Sequence, residues 1–306
     1  MLRRRSSDYG SRLVVGLLVL VQVSGFCQDP QETENLRKKL AEYAYSPKLV
    51  EDAERHLAGL DSEDYGERRR AMAFLMTATG LQDTLRESLA TGTLERRVAL
   101  KRILQTQADS GAEEKLRLLM RRIQMSGARG LAAGILDALE GRSITNGDTI
   151  RVSRAAMAVT LEPDDLPRLQ VALTSSTPIV RELALLGIQR LANEEDLVVL
   201  LKPLLADADE SVQLHVSTLL AAYGVRESLG VLAALLESES FHIRHQSHQL
   251  LVVMTEKDFG FYSDGAPGDR QEAASLWKRW VAKFGMKASV KFEEARHWFD
   301  EEELFE

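Results

Sequence analysis

Three histidines, His242, His245 and His248, recur at every third position near the end of the chain. Neutral imidazoles bind zinc and related ions, so the spacing first suggests a metal site. Helical phase argues against one shared ion. At about 100° per residue, Ser247, Leu250, Leu251 and Met254 gather with Ile243 on a core-facing side. His245 falls almost opposite, and His242 and His248 flank it roughly 120° apart. Adjacent pairs suit one ion each, but no Asp or Cys at ligand spacing joins them on the helix. The stripe reads as solvated or partner-facing, and no metal is expected.

Other reactive side chains are equally undirected. Arg151, Arg181 and Arg244 form a ladder that invites an anion. Arg117, Arg121 and Arg122 lie opposite the apolar Leu116, Leu119, Met120 and Ile123. That arrangement makes a solvated helix face or, less simply, a surface for an acidic partner. Asp258, Asp264 and Asp269 lack the alternating ligands of a calcium loop. No Gly-x-Ser-x-Gly, His-Glu-x-x-His, phosphate-cradling Gly loop or Cys pair occurs. The expectation is a protein without catalytic residues or cofactor.

The elements that must position these residues repeat. The dipeptides Ile150-Arg151, Val180-Arg181, Val212-Gln213 and Ile243-Arg244 are 30, 32 and 31 residues apart. Asp165-Leu166, Asp196-Leu197 and Ser228-Leu229 run in parallel at 31 and 32. A period of about thirty residues holding two helix-length segments predicts stacked helical hairpins, because one hairpin cannot bury its apolar face alone. Leu, Ala, Glu and Arg dominate, and strand-like alternation is scarce. Hairpins are predicted over 48–79, 81–105, 130–161, 164–192, 194–224 and 226–256. Residues 113–124 form an extra helix where the period is lost, and 29–35 form a polar lead-in. Trp277, Trp280, Val281 and Phe284 make one apolar stripe on a last helix, which serves to seal the end of the stack.

The second helix of each unit, as in Ile179-Val180-Arg181-Glu182-Leu183-Ala184-Leu185-Leu186-Gly187, resembles a short HEAT repeat. Thr255-Glu256-Lys257-Asp258-Phe259-Gly260 and Trp277-Lys278-Arg279-Trp280 resemble the ending of a group of exported bacterial HEAT-repeat proteins. The resemblance implies an all-α solenoid of about six antiparallel hairpins with a C-terminal capping helix, and a protein-binding scaffold. It also implies that the ladder arginines Arg151, Arg181 and Arg244 are structural and bond carboxylates and carbonyls in the turns, around Asp148 and Asp209. Gln213, which replaces the repeat Arg, and the irregular 108–148 stretch depart from the pattern. An enzyme or accessory subunit related to HEAT-like lyases is the alternative.

Residues 1–27 read as a signal peptide. Arg3, Arg4, Arg5 and Arg12 precede the apolar run Leu13–Val23, 11 residues long, and small residues follow. Cleavage fits after Cys27 or after Gly25. The expected location is periplasmic or extracellular. Removing residues 1–27 takes away four Arg and one Asp, and moves the formal net charge from −7 to −10. That charge disfavours nucleic acid and anionic membranes as partners of the mature chain. Residues 28–256 are read as the array, 257–291 as loop and cap, and 292–306 as an acidic tail. The tail interleaves Trp298, Phe299, Leu304 and Phe305 with acids, and either docks on the array or serves as a ligand for another protein. The partner is expected to be a protein bound on the concave face by Arg154, Glu182, His215 and His245, exposed positions of the second helices.

Overall fold

The computed structural model describes residues 29–44, 47–78, 81–109, 111–144 and 146–294. The expected leader, Cys27 and tail residues 295–306 lie outside them. Fifteen α-helices account for most of the described chain, and none of it is strand. In order they are α1 (Pro30–Ala41), α2 (Pro47–Gly59), α3 (Tyr65–Thr77), α4 (Gln82–Thr91) and α5 (Leu94–Asp109). Then come α6 (Ala112–Ser126), α7 (Ala132–Leu139), α8 (Gly147–Thr160), α9 (Leu166–Ala172) and α10 (Pro178–Leu191). The last are α11 (Glu194–Leu201), α12 (Glu210–Ala222), α13 (Ser228–Leu235), α14 (Phe241–Thr255) and α15 (Pro267–Phe284).

Local chemistry explains where helices begin. Asp64, Asn146, Asn193, Asp209 and Ser240 each accept backbone N–H bonds at the start of their helix. The polar stretch 29–35 is helix rather than lead-in, because Asp29 caps Gln31 N–H and Pro30 sits where no N–H is needed.

Consecutive helices pack as neighbours: α2 on α3, α4 on α5, α9 on α10 and α13 on α14. Helices α8, α10, α12 and α14 also pack each on the next. At Gly187 an added Cβ would lie 2.7 Å from both terminal carbons of Leu169, so glycine permits the approach of α9 to α10.

The predicted 130–161 hairpin is modified. Helix α8 packs most extensively on α6, and α1 packs on both α6 and α7. Leu36 and Leu40 of α1 are buried in the same core as Leu116, Met120, Ile135 and Met157, while α2–α5 enclose a separate core around Leu75, Leu85 and Leu100. Helix α1 therefore supplies the outer partner that α6 lacks in its own sequence neighbourhood. Three contacts fasten it: Arg122 to Glu32 at 3.1 Å, Arg142 Nη2 donating to Tyr43 O at 3.1 Å, and Leu40 over Gly134.

The turns are tied by one recurring bond. Arg68 donates to Ser62 O, Arg181 to Ser175 O, Gln213 to Asp207 O and Arg244 to Ser238 O. Each donor reaches back six residues across its own turn. Arg181 also grips Asp207 through two bonds of 2.6 and 2.8 Å, and Arg244 reaches Ser263 O at 2.9 Å. Arg151 is exposed and pairs with Asp148 at 3.2 Å; the position six residues before it, Thr145, lies outside the described residues. The acid at Arg181 is Asp207 rather than Asp209, which is occupied as the cap of α12.

At the far end, Trp277 is fully buried against Phe259, Phe261 and His248. Trp280 is half-buried beside it, and Phe284 stays exposed at the edge of the cluster. Among the described residues, no helix is long and apolar enough to cross a membrane.

The Arg181–Asp207 pair is buried, so removing one partner strands a charge. Arg181→Ala should lower unfolding free energy by about 3 kcal/mol in urea titrations. Arg151→Ala, at an exposed pair, should change it by less than about 0.5 kcal/mol.

Candidate functional site

Side chains of α8, α10, α12 and α14 enclose a cavity of about 400 Å³. Its apolar wall is Leu186, Leu214 and Ile243, all buried. Around them stand Arg154, Glu182, Gln189, Arg190, Ser211, His215, Thr218, His242 and Gln246. Thr218, in the same wall, donates its hydroxyl to Leu214 O.

Glu182 is buried, and its carboxylate accepts a hydrogen bond from Arg154 Nη2, a guanidinium reaching across from the neighbouring helix. The bond neutralises the one acid in the wall. His215 has its basicity depressed to about 4, mainly because the site desolvates the imidazolium and secondarily because Arg154 is close. It is therefore neutral at ordinary pH, with one ring nitrogen to donate and one to accept. Arg190, at the exposed rim, donates one bond to Ala158 O on α8 at 2.9 Å.

Three of the four residues expected on the concave face meet here: Arg154, Glu182 and His215. Glu182 is buried rather than exposed. His245 is absent from the lining; its ring stacks on Phe241, with centroids 5.6 Å apart and planes at 10°. His242, Ile243 and Gln246, on the adjacent edge of α14, face the cavity in its place. Sequence reasoning also passed over Arg190, Leu186, Leu214 and Gln246. The repeat itself did not mark them: in the register of Arg181, Gln213 and Arg244, the equivalents of Glu182 are Leu214 and His245, and Gln246 lies one position further on.

The three helical histidines serve three surroundings. His242 faces the cavity, His245 lies on Phe241, and His248 packs against Phe261 and Trp277 at 5.1 and 6.2 Å. Burial pushes His248 down while Asp258, 3.9 Å away, pulls it up. Among the described residues, no three His, Cys, Asp or Glu side chains come together to hold a metal. In the 258–268 loop, Asp258 accepts its own turn bond from Gly260 N–H. Of the basic face on α6, Arg117 pairs with Glu114 and Arg122 with Glu32 of α1.

Comparison of the chain with protein-family models, curated proteins and solved structures finds no match. The reading of the site therefore rests on its own geometry.

His215 sets a pH response. Unfolded, its imidazole titrates near 6.5; folded, near about 4. As pH drops below 6.5, the unfolded chain takes the proton first. The contribution is full above pH 6.5 and is lost on descent toward 4, by up to about 3 kcal/mol. Denaturation measured between those limits should show that loss, and His215→Gln should remove most of it.

Proposed function

We propose that the protein is a HEAT-like solenoid of about six hairpins that binds a polypeptide partner along the face formed by α8, α10, α12 and α14. The single observation that carries this reading is the cavity itself. It draws on four successive second helices and mixes an apolar floor with amide, hydroxyl and imidazole groups. A lining of that kind suits side-chain and backbone recognition, in which apolar anchors supply affinity and polar groups fix register. The solenoid reading draws support from the six-residue back-bond that recurs in four turns, since only a repeated unit reproduces one geometry at one spacing.

An enzymatic role for the same site draws less support. A general base works best with its basicity near the working pH, and an imidazole depressed to about 4 is a weak one. The Arg154–Glu182 pair is self-satisfied rather than poised over open space. With the leader read at residues 1–27, the partner would be met outside the cytoplasm.

The test is capture from the cell envelope with tagged chain carrying a groove block, Ser211→Arg with Gln246→Arg, or an outer-face control, Val199→Arg. Val199 is exposed on α11. A partner held by wild type and by the control, and lost from the groove double variant, is the expected outcome. Equal capture by all three places binding elsewhere.

A further inference from the structure

The neutral polar groups of the cavity are unengaged. Among the described residues, the ring nitrogens of His215, the side-chain amides of Gln189 and Gln246 and the hydroxyl of Ser211 take part in no hydrogen bond. The charged groups beside them are engaged. Arg154 and Glu182 bond each other, and Arg190, at the exposed rim, donates to Ala158 O on α8. Below lies the apolar floor of Leu186, Leu214 and Ile243.

This lining selects the chemistry of an occupant. A carboxylate or ammonium tip would lose its water at the floor without meeting a free counter-charge, because Arg154 and Glu182 already neutralise each other. The occupant is therefore uncharged where it meets the floor, and it carries an apolar body. His215, neutral at ordinary pH, offers one donor and one acceptor. A hydroxyl meets either ring nitrogen, accepting from the N–H or donating to the bare nitrogen, whereas an indole N–H only donates and serves one tautomer alone. Leu and Phe have the apolar body but no polar tip, and Ser, Thr, Asn and Gln have the tip with little apolar area. Tyrosine has both.

From this pattern, and resting on the partner-binding reading above, we infer that the cavity receives a tyrosine side chain of the partner polypeptide. Its ring lies on Leu186, Leu214 and Ile243, and its hydroxyl bonds the imidazole of His215. The amides of Gln189 and Gln246 bond the peptide groups that flank it. A cavity of about 400 Å³ has room for one such side chain with its neighbouring backbone, since pockets for small ligands start near about 300 Å³. Burial of the ring supplies affinity, and the hydroxyl supplies choice. A site that bonds a hydroxyl rejects the analogue lacking it, because its own buried polar group is then left unpaired.

The full chain should be titrated, by NMR chemical-shift changes, with acetyl-Ala-Tyr-Ala-amide and with the same peptide carrying Phe, Trp, Leu or Glu at its centre. We expect the Tyr peptide to bind roughly 5-fold or more tighter than the Phe peptide, and tighter than the rest. His215→Leu should bring the Tyr peptide down to the Phe level. His215→Gln, which still donates and accepts, should keep part of the difference. Unchanged binding of the Phe peptide by both variants reports that the apolar floor is intact. Equal binding of the Tyr and Phe peptides, tighter binding of the Trp or Glu peptide, no binding of any peptide, or a Tyr preference that survives His215→Leu overturns the inference. A native partner lost on blocking Ser211 and Gln246 but held undiminished by His215→Leu leaves the scaffold reading standing and removes only this one.

Discussion

The structure depends on how each interhelical turn is closed. A chain reversing between two helices leaves carbonyls that the last helix turn cannot satisfy, and burying them costs free energy unless a donor arrives. Here the donor comes from the first turn of the following helix and reaches back six residues, to Ser62, Ser175, Asp207 or Ser238. The same turns hold a second internal bond. The side chain of each of these residues accepts the N–H of the residue two positions on, Asp64, Thr177, Asp209 or Ser240. Closure thus fixes the angle at which each second helix leaves its turn. Neighbouring turns are then locked together where Arg181 takes Asp207, Ser238 donates to Glu210 and Ser175 donates to Glu140. Repeating one closure lays α10, α12 and α14 side by side, and that row is what makes a shared cavity possible.

The row also shows how a departure from the repeat is accommodated. Helix α6 follows α5 without a first helix of its own, and its apolar face, Leu116, Leu119, Met120 and Ile123, would otherwise lack one of its covers. Helix α1 covers it from 70 or more positions earlier in the chain, at the cost of closing a long loop that encloses α2–α5. Loop closure grows only slowly with length, so burial of Leu36 and Leu40 offsets it. The tie through Arg142, whose guanidinium lies 5.5 Å from the Tyr43 ring centre, places the end of α1 next to the hollow lined by Lys101, Gln105 and Ile144.

Much of this was legible in the sequence because it is periodic. The dipeptides at 180, 212 and 243 mark the second helices, and the burial of Ile243, Ser247, Leu250, Leu251 and Met254 follows the helical phase of α14. What was hidden was non-periodic. No spacing shows that α1 skips four helices to reach α6, since that contact is written only in the apolar face of each. Arg151 has the repeat's residue type but, unlike the buried Arg181 and Arg244, it is exposed and pairs with its neighbour Asp148. His245 occupies the register of Glu182 and Leu214, yet its ring stacks on Phe241 four residues earlier, and the adjacent edge of α14 lines the cavity. A period fixes which residues are equivalent; it does not fix what each neighbour does to them.

The central claim is that the face shared by α8, α10, α12 and α14 is where this protein meets its partner. Site-specific photo-cross-linking in cells tests it most directly, with the reactive side chain placed at Gln189 in the cavity wall or at Val199 on the exposed outer helix. The account predicts one discrete cross-linked polypeptide from position 189 and none of that size from 199. A product from 199 alone, or identical products from both, would contradict it.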